Sequence, residues 1–242
     1  MGIRYQSPGV LTSRVAPDFD PDKASILAAS KATSLLMIEG VDSRGHRSLD
    51  FATAFFIAPS LLLTAGHAAL EAAGAVRTDL YIFHPGTQQL DWNQVSRRTP
   101  SAIRCTVVQN LYMGDRSPSR DIAILSSGSF ESAHFLLLSG DRIPVHRNVD
   151  VIGYPGEKRN LWLTERHEGL NDVEESGIAG EALLPTRHLV VTRGVVAYDA
   201  EDLTSYTIST CPGLSGACVM FNGKVHGMAC MYLALTHRCS HR

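Results

Sequence analysis

Short apolar runs punctuated by turn residues recur along this chain, and that rhythm limits its folds more than any other feature. In the first half the runs are SLLMI (34–38), AFFI (54–57), LLLT (61–64), LYIF (80–83), CTVV (105–108) and IAIL (122–125), with turn signals such as SRG (43–45) and APS (58–60) between them. In the second half they are DVIGY (150–154), LWLT (161–164), LVVT (189–192), VVAY (195–198) and YTIS (206–209). A closing pair, ACVMF (217–221) and VHGM (225–228), is joined across Asn222-Gly223, which favours a two-residue reversal. Strands this short and this regularly spaced predict an all-β sandwich or barrel, because alternating βαβ units need a helix between successive strands. One helix is expected, in DPDKASILAASK (20–31), where Asp20 can cap and Pro21 sits in the first turn. The stretch SSGSF (126–130) is the best linker, and residues 165–188, rich in Glu, Gly and Asn, read as a surface insertion.

A chain of 242 residues can bury a sizeable core, as one two-barrel unit or two small domains. With 22 basic and 24 acidic residues the net charge is −2, and the basic residues are scattered, so nucleic acid is not an expected partner. Residues 51–70 lack Asp, Glu, Lys and Arg, but Pro59, Ser60, Thr64, Gly66 and His67 interrupt them, so two β-runs describe them better than a membrane span. The first residues show no secretory signal. A cytoplasmic location is therefore favoured, and secretion would require a leader outside this sequence. Five cysteines, with no C-x-x-C pair, indicate neither a zinc ribbon nor a full disulfide framework. Free thiols are the simpler account, with Cys211–Cys239 left open. No H-E-x-x-H pattern occurs, and neither a metal nor an organic cofactor is expected.

Three polar residues stand out. Ser215, in CPGLSGAC (211–218), lies on a turn flanked by Gly213 and Gly216, whose tolerance of positive φ lets the amides of Gly213 and Ser215 aim at one point. By itself the octapeptide favours the plainer reading, a glycine-rich turn with an ordinary serine. A serine nucleophile needs a base within hydrogen-bond reach, an acceptor that orients the base, and N–H donors for an oxyanion. His67 follows an apolar strand, with a helical turn expected just after it; the plainer reading is a surface histidine. Asp121 stands at the mouth of the IAIL run, where a carboxylate needs donors; bonds to nearby backbone amides would suffice. The order His67, Asp121, Ser215 is that of the β-barrel proteases.

Taken together, these stretches resemble the chymotrypsin-fold (trypsin-like) serine proteases, closest to the V8-like branch of glutamyl endopeptidases. TAGH (64–67) matches T-A-[AG]-H, and DIAIL (121–125) matches D-[IL]-A-[LI]. VIGYPGEK (151–158) is similar to that branch's G-Y-P-G-[DE]-K, with Trp162 following, and YTISTCPGLSG (206–216) aligns with Y-x-x-x-T-x-G-G-N-S-G. The resemblance covers about residues 34–233. It implies two antiparallel six-stranded β-barrels, residues 31–130 carrying His67 and Asp121 and residues 131–242 carrying Ser215, after an N-terminal extension over 1–30. It implies a serine endopeptidase acting on protein or peptide substrates. His67 would be the base, Asp121 its partner, Ser215 the nucleophile, and the Gly213 and Ser215 amides the oxyanion hole.

Two departures matter. The residue before the serine is Leu214, where an Asp or Asn is usual, so packing and backbone bonds must hold the turn, helped by the fixed φ of Pro212. The specificity pocket would comprise Ser209, Thr210, Ala229 and Tyr232. Alanine stands where glutamyl endopeptidases use His, so a neutral pocket without strong preference for Glu is expected. Two rivals follow: a catalytically silent protease-like domain that binds a peptide in the cleft, and, more distantly, a cysteine-nucleophile barrel protease.

Overall fold

The computed structural model describes residues 4–6, 23–70, 75–84, 101–112, 120–155, 189–199, 204–206 and 213–230. In chain order the elements are β1 (Arg4–Gln6), α1 (Lys23–Ala32), β2 (Thr33–Asp42), β3 (Arg47–Ala58), β4 (Leu61–Thr64), a 3-10 turn (His67–Ala69), β5 (Ala75–Phe83), β6 (Ile103–Asn110) and β7 (Ala123–Ser126). They continue as β8 (Asn148–Gly153), β9 (Val190–Asp199), β10 (Thr204–Tyr206), β11 (Cys218–Phe221) and β12 (Lys224–Met228). Among the described residues the fold is all-β apart from α1 and the 3-10 turn, and every run quoted from the first half lies in or at the edge of a strand.

Strands β2, β3, β4, β7, β6 and β5 close, in that order, into an antiparallel barrel. Closure leaves no unpaired edge. It also explains why SLLMI shows no alternation of apolar and polar residues. Successive side chains of a strand point to opposite faces, and here both faces are covered. Leu36 and Ile38 enter the barrel beside Ala52, Ala54, Phe56, Leu62, Ile82 and Leu125. Leu35 and Met37 point outward into a second cluster with Phe55, Ile152, Leu189, Val191 and Cys218. That outer cluster joins the barrel to the second half of the chain.

The second half is a sheet in the order β1, β9, β8, β11, β12, with β10 pairing with β9. Among the described residues this sheet does not close into a barrel, so they show one closed barrel where two six-stranded barrels are expected. LWLT (161–164) lies outside the described residues. LVVT and VVAY, expected as separate strands, form the single β9, because Arg193 and Gly194 continue the ladder opposite Asp150 and Val149. Asn222 and Gly223 have φ of 48° and 75°, the double positive sign that a type I′ hairpin requires.

Residues 1–30, expected as an extension, are tied into the molecule where described. β1 pairs with β9 through Arg4↔Thr192 to Gln6↔Val190. α1 buries Ile26, Ala29 and Ser30, one face at helical spacing, and ends where the Thr33 hydroxyl donates to the Ala29 carbonyl at 2.8 Å. The expected linker 126–130 is likewise anchored: Ser127 donates from its amide to Ser60 O at 3.0 Å and from its hydroxyl to Phe130 O at 2.8 Å.

Candidate active site

The antiparallel pairing of β4 with β7 decides where two of the three candidate residues go. Thr64 is the register partner of Ala123. His67 lies just past the end of β4 and Asp121 just before the start of β7, so both leave the barrel at the same rim. The chain turns there through Gly66, where a Cβ would come within 2.8 Å of Asn110 Oδ1 and 3.0 Å of the Ile122 amide nitrogen. Glycine is needed for close approach, and its φ of −64° is ordinary. Asn110 fastens this corner by donating from Nδ2 to Gly66 O at 2.9 Å and accepting the Tyr112 amide at 3.0 Å.

Asp121 is buried, and both carboxylate oxygens meet His67. Oδ1 accepts the His67 backbone N–H at 2.7 Å, and Oδ2 lies 2.7 Å from the ring Nδ1. Burial by itself would raise the Asp121 pKa, but the side-chain and backbone bonds from His67, with the attraction of its ring, hold it below the ordinary 3.8. The carboxylate is therefore ionised at neutral pH and can only accept. A neutral His67 must then carry its proton on Nδ1, which leaves the Nε2 lone pair free. Nε2 lies 3.1 Å from Ser215 Oγ. The three residues thus form one hydrogen-bonded chain from carboxylate to imidazole to hydroxyl, the geometry that activates an alcohol.

Ser215 sits on a turn between Gly213 and Gly216, whose φ values of 91° and 87° are left-handed and suit glycine. A Cβ on Gly216 would strike the Thr53 carbonyl. Leu214 is fully buried with Val151, Val190, Ala217 and Val219, so the side chain before the serine anchors the turn by packing. Backbone bonds add to this: Gly216 N donates to Ala229 O at 2.8 Å, and Ala229 N donates to Ala217 O at 2.7 Å. Ala229, expected in the specificity pocket, is thus placed beside the serine turn. Ser209, Thr210, Tyr232, Cys211 and Pro212 lie outside the described residues.

Several contributors were not foreseen from the sequence. The Tyr112 ring meets the His67 ring edge-on, with centroids 6.2 Å apart. Cys230 donates to the Asp121 carbonyl at 3.8 Å, and its thiol is pushed up to about 12, first by burial and then by the Asp121 charge. Burial likewise takes Cys105 and Cys218 to about 12. All three of these described cysteines are free thiols, and a thiol that stays protonated is a poor nucleophile. Asn110 and Tyr112 follow no motif, and only the spatial meeting of β6 with the β4 corner reveals them. Among the described residues no group of three or more His, Cys, Asp or Glu could hold a metal ion, and no described helix is long and apolar enough to cross a membrane.

Neither a protein-family model nor a curated protein matches this chain.

Proposed function

We propose that this chain is a serine endopeptidase of the two-barrel, trypsin-like kind, the second half standing as the second barrel of the pair. The observation that supports this reading best is the position of His67, bonded to Asp121 through both its amide and Nδ1, with Nε2 3.1 Å from Ser215 Oγ. A histidine on the surface for solubility would have no reason to be fixed at both ends. The V8-like branch is the nearest affiliation, on the strength of VIGYPGEK (151–158) and the serine box.

In this mechanism Ser215 Oγ attacks the substrate carbonyl carbon while its proton passes to His67 Nε2. The carbonyl oxygen becomes an oxyanion, for which the amides of Gly213 and Ser215 are the donors. Asp121 stays ionised and stabilises the imidazolium. The tetrahedral intermediate then collapses, the C–N bond breaks, and Nε2 returns the proton to the departing amine. Water, deprotonated by the same Nε2, attacks the ester on Ser215, and collapse of the second intermediate releases the acid and restores the hydroxyl.

Ala229 leaves the pocket without the histidine of the glutamyl enzymes, so the residue before the scissile bond should be apolar or small and polar. A peptide-library profile dominated by Glu there would refute this preference. The hydrolase reading itself is tested with a fluorophosphonate probe, which phosphonylates an activated serine and is expected to label the protein but not Ser215→Ala. Labelling that survives this substitution would remove Ser215 as nucleophile. No labelling of the wild-type protein would leave a peptide-binding domain as the better account.

A further inference from the structure

Thr53, near the middle of β3, is fully buried, and its polar atoms tie together four parts of the site. Its amide donates to the Ser215 carbonyl at 2.8 Å. Its carbonyl accepts the Thr64 hydroxyl at 2.7 Å, three residues before His67. Its own hydroxyl donates to the Gly213 carbonyl at 2.9 Å and accepts the Tyr154 amide at 2.8 Å. The last contact depends on Gly153, where a Cβ would lie 2.9 Å from Thr53 Oγ1 and 3.1 Å from Leu214 Cδ2. The VIGYP stretch (151–155) therefore serves a physical purpose, since its glycine makes room for the Thr53 hydroxyl and the next amide orients it.

The bond to Gly213 O is the informative one. That carbonyl belongs to the peptide unit joining Gly213 to Leu214, which lies between the amides of Gly213 and Ser215. Those two N–H groups converge on one point only if the unit between them keeps its orientation. With positive φ at Gly213, the backbone has other orientations open to it. Leu214 supplies no polar group to fix it, because its side chain is committed to the core.

We infer that Thr53 is a positioning residue that holds the Gly213–Leu214 peptide, and with it the oxyanion donors, in register with the base. This rests on the serine-hydrolase reading above. It assigns to a strand of the first barrel the work that a polar side chain before the serine would otherwise do.

Thr53→Val keeps the branched shape and removes the hydroxyl; Thr53→Ser keeps the hydroxyl and removes the methyl. The measurements are the fluorophosphonate labelling rate, kcat and KM for a p-nitrophenyl ester, and a thermal melt to establish the folded fraction. Misorienting an oxyanion donor should weaken transition-state binding more than substrate binding, so Thr53→Val should lose about 30-fold in kcat with KM nearly unchanged. Thr53→Ser should stay within about threefold of wild type, since both bonds survive. Folded Thr53→Val that reacts at the wild-type rate overturns the inference and leaves the hydrolase reading standing. So does Thr53→Ser that is as slow as Thr53→Val. Should Thr53→Val not fold, Thr53→Ser decides alone, a loss of about tenfold counting against the hydroxyl. Absence of Ser215-dependent labelling in the wild-type protein removes the hydrolase reading and this inference together.

Discussion

His67 and Asp121 stand on the closed barrel and Ser215 on the open sheet, and the two regions hold their residues by different means. On the barrel the pair is a consequence of strand register: Thr64 faces Ala123, so the residues just beyond them meet. The carboxylate then locks both the backbone and the ring of the histidine. On the sheet, the turn carrying Ser215 depends on contacts with the other half, including its carbonyl's bond to the Thr53 amide. His67 and its carboxylate partner are thus assembled within one unit, while the Ser215 hydroxyl joins them only where the two units meet.

Removing the imidazole should give the largest change. His67→Ala is expected to lower the labelling rate by about 10⁵-fold and to lower the melting temperature modestly, because buried Asp121 Oδ2 loses its ring donor while Oδ1 keeps the backbone N–H. A loss below about tenfold would mean that Ser215 is not activated by this histidine. Gly216→Ala attacks the junction itself. It combines a left-handed backbone with a Cβ aimed at the Thr53 carbonyl, and a loss of about 4 kcal/mol in urea unfolding is expected. A loss under about 1 kcal/mol would show that the turn can move away from the barrel.

Acid should distinguish the barrel by another route. His84 is buried there between two serines, Nδ1 2.8 Å from Ser34 Oγ and Nε2 3.1 Å from Ser132 Oγ. The Ser132 hydroxyl donates to His134 O, so it accepts from Nε2, and Nδ1 accepts from Ser34. Burial, with a smaller contribution from His134, lowers its pKa from 6.5 to about 4. Between these values the unfolded chain takes up a proton that the folded chain refuses. The stabilisation is complete above about 6.5 and is lost as pH falls toward 4, by about 3 kcal/mol. Stability measured against pH should show this slope in the wild-type protein and not in His84→Gln. The Asp121 contribution disappears separately, below its ordinary carboxylate value of 3.8. The smallest effect belongs to the sheet's own hairpin. Asn222→Ala, at a φ of 48°, should destabilise by about 1 kcal/mol and leave labelling unchanged, whereas Asn222→Gly should not destabilise.

The contrast between halves also governs what could be read in advance. Strands of the barrel were legible because each is a short apolar run closed by a turn, and His67, Asp121 and Ser215 because each sits in a compact local pattern. β1 was not legible: RYQ (4–6) carries no apolar run, and it is a strand because β9 presents an edge for it. The break expected at Arg193-Gly194 fails for a tertiary reason. Arg193 forms a paired contact with buried Asp150, 2.8 and 2.9 Å from Nε and Nη2, which carries the strand through. Leu214 pointed correctly to a turn held by packing and backbone bonds. The hydroxyl of Thr53 did not show, because a threonine in a strand looks the same whatever its side chain meets.

The pairing of β1 with β9 also bears on how the chain acquires its shape during synthesis. Arg4–Gln6 is synthesised well before its partners, Val190–Thr192. At about 5–20 residues per second the segment waits roughly 10–40 s for them. The barrel, whose strands all lie between Thr33 and Ser126, is complete in sequence long before that. The nascent protein should pass through a stage with His67 and Asp121 already paired and Ser215 not yet beside them, so that under the proposed hydrolase function competence would arrive last.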